Sequence, residues 1–514
     1  MRSEKYENKK GKTESPKSKN KAYAKKRDKI LHISGWAIAG VQLVITVIFM
    51  VLMQYVDILP TSFKMLINVL LVLFCLVTLI TQHWKIPGII TKVFAVLFSV
   101  ILVVGCVYIN STRKAISNIS GTKVHETEVG VYVLADSPAQ SINDLVNESF
   151  GIVSNIDREN TDKTINEINK ETGADIKTVD YTGVAELVSA LYDGSVSAAV
   201  FNKSYVSILS ELEEYKDFDT KVRLITTYKH ISEVKPGDSN GGDNQGGNYP
   251  SREGVFAVYV SGIDTDGAPT VNRNSDVNIL LIVNTNTHQI LMINTPRDFY
   301  VPLSISNGVR DKLTHAGCYG IDCSVDTLEM LYGINIDHYL KVNFTGFVGI
   351  INALNGVDVY SEFDFTSTHG KYHFVQGINH MNGEQALGFA RERYSFGTGD
   401  RQRGKNQMAV IRAMINKMMS KDMLLNYTNV LNAVSASMAT DMSYDEISAL
   451  VKMQLDSMPS WDIQSCSVDG TGDNLPCFSL SAPNYVMIPN EDTVNQAKAY
   501  INDIYNDILV NTGS

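Results

Sequence analysis

Cysteine is scarce in this chain, with six residues in 514, and no pair of C-x-x-C motifs is present. A structural zinc site built on paired knuckles is therefore not expected. Two of the cysteines lie inside apolar runs, where we expect inert packing. The other four permit three pairings. Of these we favour two local bridges, Cys318 with Cys323 and Cys466 with Cys477.

Positive charge is scarce beyond residue 111. Residues 112–514 hold 30 Lys or Arg against 50 Asp or Glu, a formal charge of −20. General nucleic-acid binding needs net positive surface, so this region is a poor candidate for it. Residues 1–30 differ, with twelve Lys or Arg against four acids, a formal charge of +8. We interpret this tail as a signal for membrane orientation, and binding to anionic lipid or nucleic acid is the alternative.

The N-terminal region lacks the single short apolar run and the small-residue cleavage site of a secretory signal peptide. Three apolar runs come after the tail instead, at about residues 36–55, 65–81 and 93–109, each about as long as a bilayer crossing. The lysine-rich tail should stay in the cytoplasm, and three crossings then place the rest of the chain outside. We therefore expect a multi-pass membrane protein with a tail at 1–32 and three membrane helices in 33–111.

The chain is too long for one ordinary domain, and its 44% hydrophobic content suits folded cores. Residues 235–251, K-P-G-D-S-N-G-G-D-N-Q-G-G-N-Y-P-S, have almost no apolar side chains and are typical of a flexible linker. We place the linker at 235–253, between an accessory domain at 112–234 and a second domain at 254–514. The accessory domain alternates short apolar runs with helical patterns and shows no cluster of chemistry-bearing residues. It is interpreted as a small α/β scaffold or protein-contact domain.

The second domain also alternates strands and helices. A strand from Val255 to Val260 precedes a hairpin at 277–293, and strands at 338–342 and 357–360 flank a helix from Phe344 to Leu354. This pattern predicts an α/β domain with a central mixed sheet.

Five cations lie within fifteen residues of this acidic domain: Arg391, Arg393, Arg401, Arg403 and Lys405. Mutual repulsion makes such a run unfavourable unless an anion lies among its members, and a guanidinium presents a fork of donors matched to phosphate. A helix predicted from about Asp400 to Met419 would place Arg403 and Gln407 on one face and point its positive N-terminus at the same anion. The segment predicts a phosphate or diphosphate site. Pairing of Arg391 and Arg393 with Glu384 and Glu392 on a solvated face is the alternative, and Arg401 is assigned to such a face.

Two acids lie at predicted strand ends upstream of this block. Asp264 closes the first strand, Asp276 opens the hairpin, and Arg297 follows the hairpin. Carboxylate oxygens are hard ligands, so a divalent cation could lie beside the anion. A turn-forming role for Asp264 and a capping role for Asp276 are the structural alternatives. Lys312 is a further candidate for a phosphate contact, and His315 is interpreted as a hydrogen-bonded packing residue.

The ordered motifs between residues 254 and 420 resemble the LytR-CpsA-Psr (LCP) family of Gram-positive envelope proteins. They are G-I-D at 262–264, N-R-N-S-D at 272–276, T-P-R-D at 295–298, D-K-L-T-H-A at 311–316, D-H-Y-L-K-V-N-F at 337–344, G-V-D-V at 356–359 and the arginine block at 391–407. The three membrane runs and the accessory domain resemble the capsule-type, CpsA-like branch. Many members have Arg-Gln-Gln where this chain has Lys405-Asn406-Gln407, so a contact role is kept for Gln407 alone.

The resemblance implies a transferase that moves a glycopolymer, here capsular polysaccharide, from a polyprenyl diphosphate carrier to a peptidoglycan hydroxyl through a phosphodiester link. It implies that Asp264 and Asp276 bind Mg²⁺ or Mn²⁺. It also implies diphosphate contacts from Arg297, Arg391, Arg393, Arg403 and Gln407, with the first three taken as catalytic.

The chemistry agrees with these roles, because phosphoryl transfer needs developing oxygen charge neutralised and the nucleophile held in line. A carboxylate base would assist the hydroxyl, and Asp400 is the candidate, with Asp276 as the alternative. The prenyl tail needs an apolar groove, which Phe344, Phe347 and Leu354 could line unless they form ordinary core.

Two other functions stay open at this point. One is a membrane-anchored regulator of envelope or capsule genes whose tail contacts DNA, although residues 1–29 are too short and too polar for a helix-turn-helix, and no specific nucleic-acid partner is expected. The other is hydrolysis of the polyprenyl diphosphate, with water as the acceptor.

Overall fold

The computed structural model describes residues 16–120, 124–154, 156–233, 253–264, 269–420, 427–480 and 482–513. The first fifteen residues of the tail and nearly all of the predicted linker lie outside this part of the chain. The described residues form two compact units. One unit takes the residues up to Lys114 together with Ser448–Asp456, and the other takes Ala115–Ile447 together with Ser457–Ser514.

Three long helices begin the described part of the chain: α1 (Pro16–Val56), α2 (Thr61–Thr81) and α3 (Lys85–Ile119). Each contains one of the predicted apolar runs and is long and apolar enough to cross a membrane. Large apolar side chains such as Leu70, Phe94 and Val107 are exposed along them, as expected for surfaces that lipid covers. The three predicted apolar helices are present, and each is a candidate membrane span.

The accessory domain contains a five-stranded sheet in the order β3-β2-β4-β1-β5. Its strands are β1 (Val124–Leu134), β2 (Ser149–Val153), β3 (Lys177–Tyr181), β4 (Ala198–Asn202) and β5 (Val222–Glu233). Its helices are α4 (Arg158–Thr172), α5 (Val184–Tyr192), α6 (Tyr205–Leu209) and α7 (Phe218–Lys221). The pairing is parallel between β2 and its neighbours and antiparallel around β1, so the sheet is mixed.

The pattern from Val206 to Tyr215, which predicts one helix, forms two short pieces in the structure. Helix α6 ends at Leu209, and a single 3-10 turn resumes at Glu213–Tyr215. The helix is interrupted because Leu212 has an extended backbone, with ψ at 133°. The residues between the two pieces therefore form an irregular connection, and Glu211 lies in it.

The second domain contains a six-stranded mixed sheet in the order β16-β11-β6-β7-β8-β17. These strands are β6 (Val255–Ile263), β7 (Ser275–Asn284), β8 (Gln289–Asn294), β11 (His338–Asn343), β16 (Met438–Thr440) and β17 (Asp462–Ser467). Strands β6 and β11 are parallel, as are β8 and β17, whereas β7 is antiparallel to both of its neighbours. The predicted central mixed sheet is confirmed.

Both faces of this sheet are covered, which explains why its strands are apolar along their length. Ala257 and Tyr259 point into the core on one face, together with residues of the flanking helices. Val258 and Ile279 belong to the core on the opposite face, where Met408 packs against them. The alternation along β6 follows from the two-residue period of a strand.

The remaining elements surround the sheet. The helices are α8 (Leu313–Ala316), α9 (Ile321–Tyr332), α10 (Phe344–Ala353), α11 (Gly383–Arg391), α12 (Asp400–Met418), α13 (Tyr427–Ser437), α14 (Tyr444–Ser457) and α15 (Glu491–Tyr505). Small strand pairs are β9 (Tyr300–Pro302) with β10 (Arg310–Lys312), β12 (Val357–Ser361) with β15 (Gly377–Met381), β13 (Phe365–Thr366) with β14 (His373–Phe374), and β18 (Gly470–Pro476) with β19 (Pro483–Pro489). The strand predicted at 357–360 thus pairs with β15, outside the central sheet.

The accessory and second domains share one hydrophobic core. Helix α6 supplies Tyr205, Ile208 and Leu209 to it, and the second domain supplies Cys318, Cys477, Leu480 and Val486. The rings of Tyr205 and Tyr319 are 5.7 Å apart between centroids. The two domains are therefore packed together through buried apolar surface.

The favoured disulfide pairings are wrong for this structure, in which all four of these cysteines are free thiols. Cys318 packs in the core shared with the accessory domain, whereas Cys323 packs in the core beneath the central sheet. Cys466 lies against the latter core and Cys477 belongs to the former. Proximity in sequence is overridden because the members of each predicted pair face different cores.

Candidate active site

A cavity of about 580 Å³ lies in the second domain against the face of the central sheet that carries α12. The cavity has a charged part and an apolar part, and single helices and strands contribute side chains to both. Helix α12 presents Arg403 and Gln407 from its first two turns and then Ile411 and Ile415 from later turns. Strand β6 similarly presents Val260 before it ends at Ile263, and Asp264 follows directly. The charged part and the apolar part of the cavity are thus built from the same elements.

The charged part contains most of the predicted site residues. The residues that line the cavity here are Asp264, Asp276, Arg297, Arg391, Arg393, Arg403 and Gln407. They come from β6, β7, the segments after β8 and α11, and the start of α12, so five regions of sequence converge on one site. This convergence is the arrangement that binding of a highly charged anion requires.

Arg297 follows β8 by three residues and is held by carboxylates on three sides. Its Nη1 lies 2.7 Å from Asp276 Oδ1, its Nη2 lies 3.2 Å from Glu211 Oε1, and its Nε lies 3.6 Å from Asp298 Oδ1. Burial by itself would lower the pKa of Arg297, but the surrounding acids, Asp276 first among them, raise it above its ordinary value. The guanidinium is therefore a permanent cation with a constrained orientation.

Arg391 links the charged part to the apolar part. It ends α11, its guanidinium carbon lies 4.2 Å from the centroid of the Phe344 ring, and its Nη2 lies 3.7 Å from Asp264 Oδ2. A cation over an aromatic face is attracted by the ring electrons. Arg391 is thus oriented by an acid on one side and by the wall of the apolar cavity on another.

Arg393 and Arg403 contact one acid, Asp400, at the start of α12. Arg403 Nη2 lies 3.1 Å from Asp400 Oδ2, and Arg393 Nη1 lies 3.9 Å from Asp400 Oδ1. The alternative pairing with Glu392 is not formed, because that carboxylate accepts hydrogen bonds from the backbone of Tyr394 and Ser395.

The other candidates lie away from the cavity lining. Asp400 holds the two arginines but does not line the cavity, and Arg401 pairs with Asp469 at 2.6 Å, as the solvated-face interpretation predicts. Lys405 faces Glu362, and buried Asn406 donates a hydrogen bond to the Phe389 carbonyl. Neither departure from the family pattern therefore changes a residue on the cavity wall.

Lys312 is buried behind Arg297 and does not line the cavity. Its Nζ lies 2.6 Å from Glu211 Oε2 and 3.6 Å from Asp298 Oδ1. Burial by itself raises the pKa of Asp298 above its ordinary value, although Arg297 and Lys312 oppose the shift. In this structure Lys312 belongs to a buried ion cluster rather than to the cavity surface.

His315 belongs to the same buried cluster. Its Nδ1 lies 2.7 Å from Asp311 Oδ1, and its Nε2 faces Glu211 Oε2 at 3.5 Å. Burial alone would lower the pKa of His315, but Asp311 and Glu211 raise it from 6.5 to about 9. Burial would likewise raise the pKa of Glu211, but His315 and Lys312 hold it well below its ordinary value. His315 is a hydrogen-bonded packing residue, as predicted, and its two carboxylate neighbours favour the protonated imidazole.

The apolar part of the cavity corresponds only in part to the predicted groove. Phe344 and Phe347 of α10 line it, whereas Leu354 lies in a closed core beneath the same helix. Further walls come from α12, α13 and the central sheet, through Leu281, Leu340, Val342, Ile411, Met414, Ile415, Met418, Val434 and Met438.

Sequence reasoning missed Tyr394, Asp298 and Glu211. Tyr394 lines the cavity and accepts a hydrogen bond from Arg393 Nη2 at 2.6 Å, and its place inside the arginine block was the available signal. Asp298 adjoins Arg297 in the T-P-R-D motif. Glu211 had no local signal, because it belongs to the accessory domain and lies 86 residues before Arg297.

The LytR_cpsA_psr family model matches residues 220–499, which is more than half of the chain. The chain therefore belongs to this family, and it is an enzyme of the LCP type, a glycopolymer–peptidoglycan phosphotransferase, as the sequence predicted. A second family model, DNA polymerase processivity factor, matches residues 87–201, which cover most of α3 and part of the accessory domain.

Two relatives in sequence agree with the family assignment, and one solved structure is similar in part. The chain is 34% identical over 220 residues to the polyisoprenyl-teichoic acid–peptidoglycan teichoic acid transferase TagU of Enterococcus faecalis, covering 42% of this chain and 71% of the relative. It is 32% identical over 198 residues to the TagU protein of Bacillus cereus, covering 38% and 64%. The crystal structure of TagV from B. subtilis is 26% identical, with a TM-score of 0.43 over 51% of this chain and all of that one.

Proposed function

We propose that this protein transfers a glycopolymer, capsular polysaccharide, from a polyprenyl diphosphate carrier to a hydroxyl of peptidoglycan. One observation carries the proposal: four arginines and two acids line one part of a cavity whose other part is apolar. A diphosphate head attached to a hydrocarbon tail has the same division of charge, so the head would lie among the arginines and the tail among the residues of α10 and α12.

The reaction exchanges one phosphorus–oxygen bond for another. The acceptor hydroxyl oxygen attacks the phosphorus that carries the polymer, and the bond from that phosphorus to the bridging oxygen breaks. Polyprenyl monophosphate leaves with the bridging oxygen, and the polymer stays joined to the acceptor through a phosphodiester. The hydroxyl proton passes to a carboxylate base. Asp400 does not line the cavity, so Asp276 is the candidate for this role when it is not bound to the cation.

The arginines supply the electrostatic part of this reaction. Arg297, held between Asp276 and Glu211, would bind oxygens on which charge develops, and Arg391 and Arg393 would hold the rest of the diphosphate. Because their orientations are set by acids and aromatic rings already in the fold, little reorganisation is needed when the substrate arrives.

Asp264 and Asp276 would hold a divalent cation, Mg²⁺ or Mn²⁺. Both carboxylates line the cavity on which the arginines converge, and carboxylate oxygens are the hard ligands that Mg²⁺ prefers. Among the described residues there is no group of three or more His, Cys, Asp or Glu that could hold a metal, and Mg²⁺ characteristically combines one or two carboxylates with substrate phosphates and water. When bound, the cation would neutralise charge on the diphosphate.

The proposed location follows from the membrane anchor. The basic tail would lie in the cytoplasm and the two α/β domains outside the cell membrane of a Gram-positive cell, where peptidoglycan is accessible. The relatives are named as teichoic acid transferases. Capsular polysaccharide is proposed here because three membrane helices and an accessory domain resemble the capsule-type branch.

The test measures wall-attached polymer in the native host for two altered forms of the protein, one with two arginines replaced and one without the tail. Arg391→Ala with Arg393→Ala should reduce wall-attached polymer by about 100-fold, because loss of one preorganised charge-stabilising donor typically costs about 10²–10³-fold in rate. Arg401→Ala is the matched control, since this arginine pairs with Asp469 away from the cavity, and it should leave attachment unchanged. Deletion of residues 2–29 should also leave attachment unchanged in chains that reach the membrane.

The opposite pattern at equal protein levels, with attachment lost on deletion of the tail and kept in the double arginine variant, would favour the regulator. Product analysis separates transfer from hydrolysis, because only transfer leaves the polymer phosphate joined to muropeptides.

A further inference from the structure

The family model begins at residue 220, yet an acid from before that residue contacts the proposed site. Glu211 lies in the connection after α6 of the accessory domain, and its carboxylate reaches Arg297 and Lys312 of the second domain at 3.2 and 2.6 Å. Asn484 Nδ2 donates to the same carboxylate at 2.7 Å. Three groups of the second domain therefore converge on one side chain of the accessory domain.

The packing between the domains delivers Glu211 to this position. Helix α6 is buried in the shared core, and Ser204 Oγ, just before it, donates to the Asn272 carbonyl at 2.5 Å. Arg273 also lies 3.7 Å from Glu128 of β1. Glu211 lies two residues beyond the end of α6, and from there its carboxylate reaches Arg297.

Glu211 approaches Arg297 from behind the cavity. Arg297 and Asp276 line the cavity, whereas Glu211, Lys312 and His315 do not. The side chain of Glu211 is 17% exposed. It contacts Nη2 while Asp276 contacts Nη1, so the two acids together fix the plane of the guanidinium. Each terminal nitrogen carries two hydrogens, which leaves donors available for a phosphate on the cavity side.

We infer that Glu211 is a positioning residue for Arg297, and hence that the accessory domain is a structural part of the active site. This inference rests on the proposed function, because it requires Arg297 to act on a diphosphate. Glu211 does not touch the substrate. It keeps the guanidinium aimed into the cavity and balances the positive charges of Lys312 and His315, which would otherwise repel Arg297.

The test uses the full chain in detergent micelles with Mg²⁺, a synthetic polyprenyl diphosphate-linked disaccharide as donor and peptidoglycan fragments as acceptor. Glu211→Gln keeps the shape of the side chain and removes its charge. The expected result is a fall in kcat of roughly 10–100-fold, as misplacement of a reacting group by about 1 Å typically gives, with KM changed by less than about threefold. In an Arg297→Lys chain, Glu211→Gln should add less than about twofold, because residues that act as a unit are not additive.

Three further variants separate positioning from general support of the fold. Glu213→Gln changes an exposed acid two residues after Glu211, with 87% of its side chain exposed, and should behave as wild type. Ser204→Ala weakens the domain contact without changing charge and should lower Tm while leaving kcat within about twofold. Asn484→Ala removes one partner of Glu211 and should lower kcat about threefold, which keeps the test valid if Glu211→Gln does not fold.

Several outcomes overturn the inference. A kcat within about twofold of wild type for both Glu211→Gln and Asn484→Ala would do so. A kcat of Glu211→Gln above that of wild type would instead show that Glu211 blocks the reaction. If Ser204→Ala and Glu211→Gln have the same Tm and lose kcat equally, the role of Glu211 is purely structural. If the wild-type chain neither transfers the donor nor binds geranylgeranyl diphosphate, the proposed function is wrong and the inference falls with it. If the wild-type chain transfers the donor and Glu211→Gln has the same kcat, the inference is wrong while the proposed function stands.

Discussion

At the level of single residues, buried cations near the active site are paired with neighbouring carboxylates. Arg297, Lys312 and His315 are three cations in a half-buried or buried setting, and Asp276, Asp298, Asp311 and Glu211 surround them. Burial of a charge is costly unless it is paired and hydrogen-bonded. Removal of one member therefore affects all of the others, and this coupling makes the cluster sensitive to pH.

His315 should make stability depend on pH in the alkaline range. Its folded pKa of about 9 exceeds the ordinary 6.5, so its stabilising contribution is complete below about pH 6.5 and is lost as the pH rises through 9. Thermal unfolding of the wild-type chain and of His315→Gln should therefore differ most near pH 6.5 and converge by about pH 9.5. Exposed His373→Gln is the control and should track wild type throughout. A constant difference from pH 6.5 to 9.5 would contradict a protonated His315.

Among the helices, α10 and α13 form one wall of the cavity and pack closely. A Cβ at Gly346 of α10 would lie 2.3 Å from the Ser437 carbonyl oxygen, which belongs to the backbone at the end of α13. Backbone cannot move aside as the tip of a side chain can. Gly349, one turn later on the same helix, meets no atom nearer than Ser437 Oγ at 3.6 Å.

This contrast gives a matched pair of substitutions. Gly346→Ala should destabilise the protein by about 1–3 kcal/mol, because overpacking forces α13 away from α10, and it should weaken binding of a polyprenyl tail. Gly349→Ala should be neutral or stabilising by up to about 1 kcal/mol, because alanine favours the helix more than glycine. Thermal unfolding of the two variants checks this. Equal stability would show that α13 is not held against α10.

For the molecule as a whole, charge is divided between its two ends. The tail is strongly basic, and the region after residue 111 is strongly acidic. Between them lie three helices long enough to cross a membrane. An odd number of crossings puts the two ends on opposite sides, and the positive-inside bias decides which end stays in the cytoplasm.

The orientation can be measured on intact spheroplasts. An epitope fused to the C-terminus should be removed by added protease, whereas one fused to the N-terminus should be protected until the membrane is permeabilised. Substitution of the tail lysines by glutamine should reduce the protected fraction, because the orientation signal is weakened. Protection of both epitopes would mean an even number of crossings and would contradict an extracytoplasmic active site.

Much of the fold and most of the charged part of the cavity could be predicted from local sequence. Periods of two and of 3.6 residues identified the strands around Asp264 and Asp276 and the helix that begins at Asp400. Like charges crowded into one segment indicated an anion site before any contact was known. These features are local, since each depends on residues within a few positions of one another, and the order of motifs was specific enough to indicate the family.

Contacts between distant segments could not be read from the chain in this way. Some features depend on which faces of helices and strands pack together: the free cysteines, the burial of Lys312 and the place of Leu354 in a closed core. The periodicity of a sequence shows that a face is apolar, but it does not show which face packs against it. Glu211 depends further on a broken helix and on a core shared by two domains. The linear chain thus specified its elements, its membrane anchor and its charged segment, while the packing of the accessory domain placed Glu211 behind Arg297, because long-range contacts form only when separate surfaces are buried together.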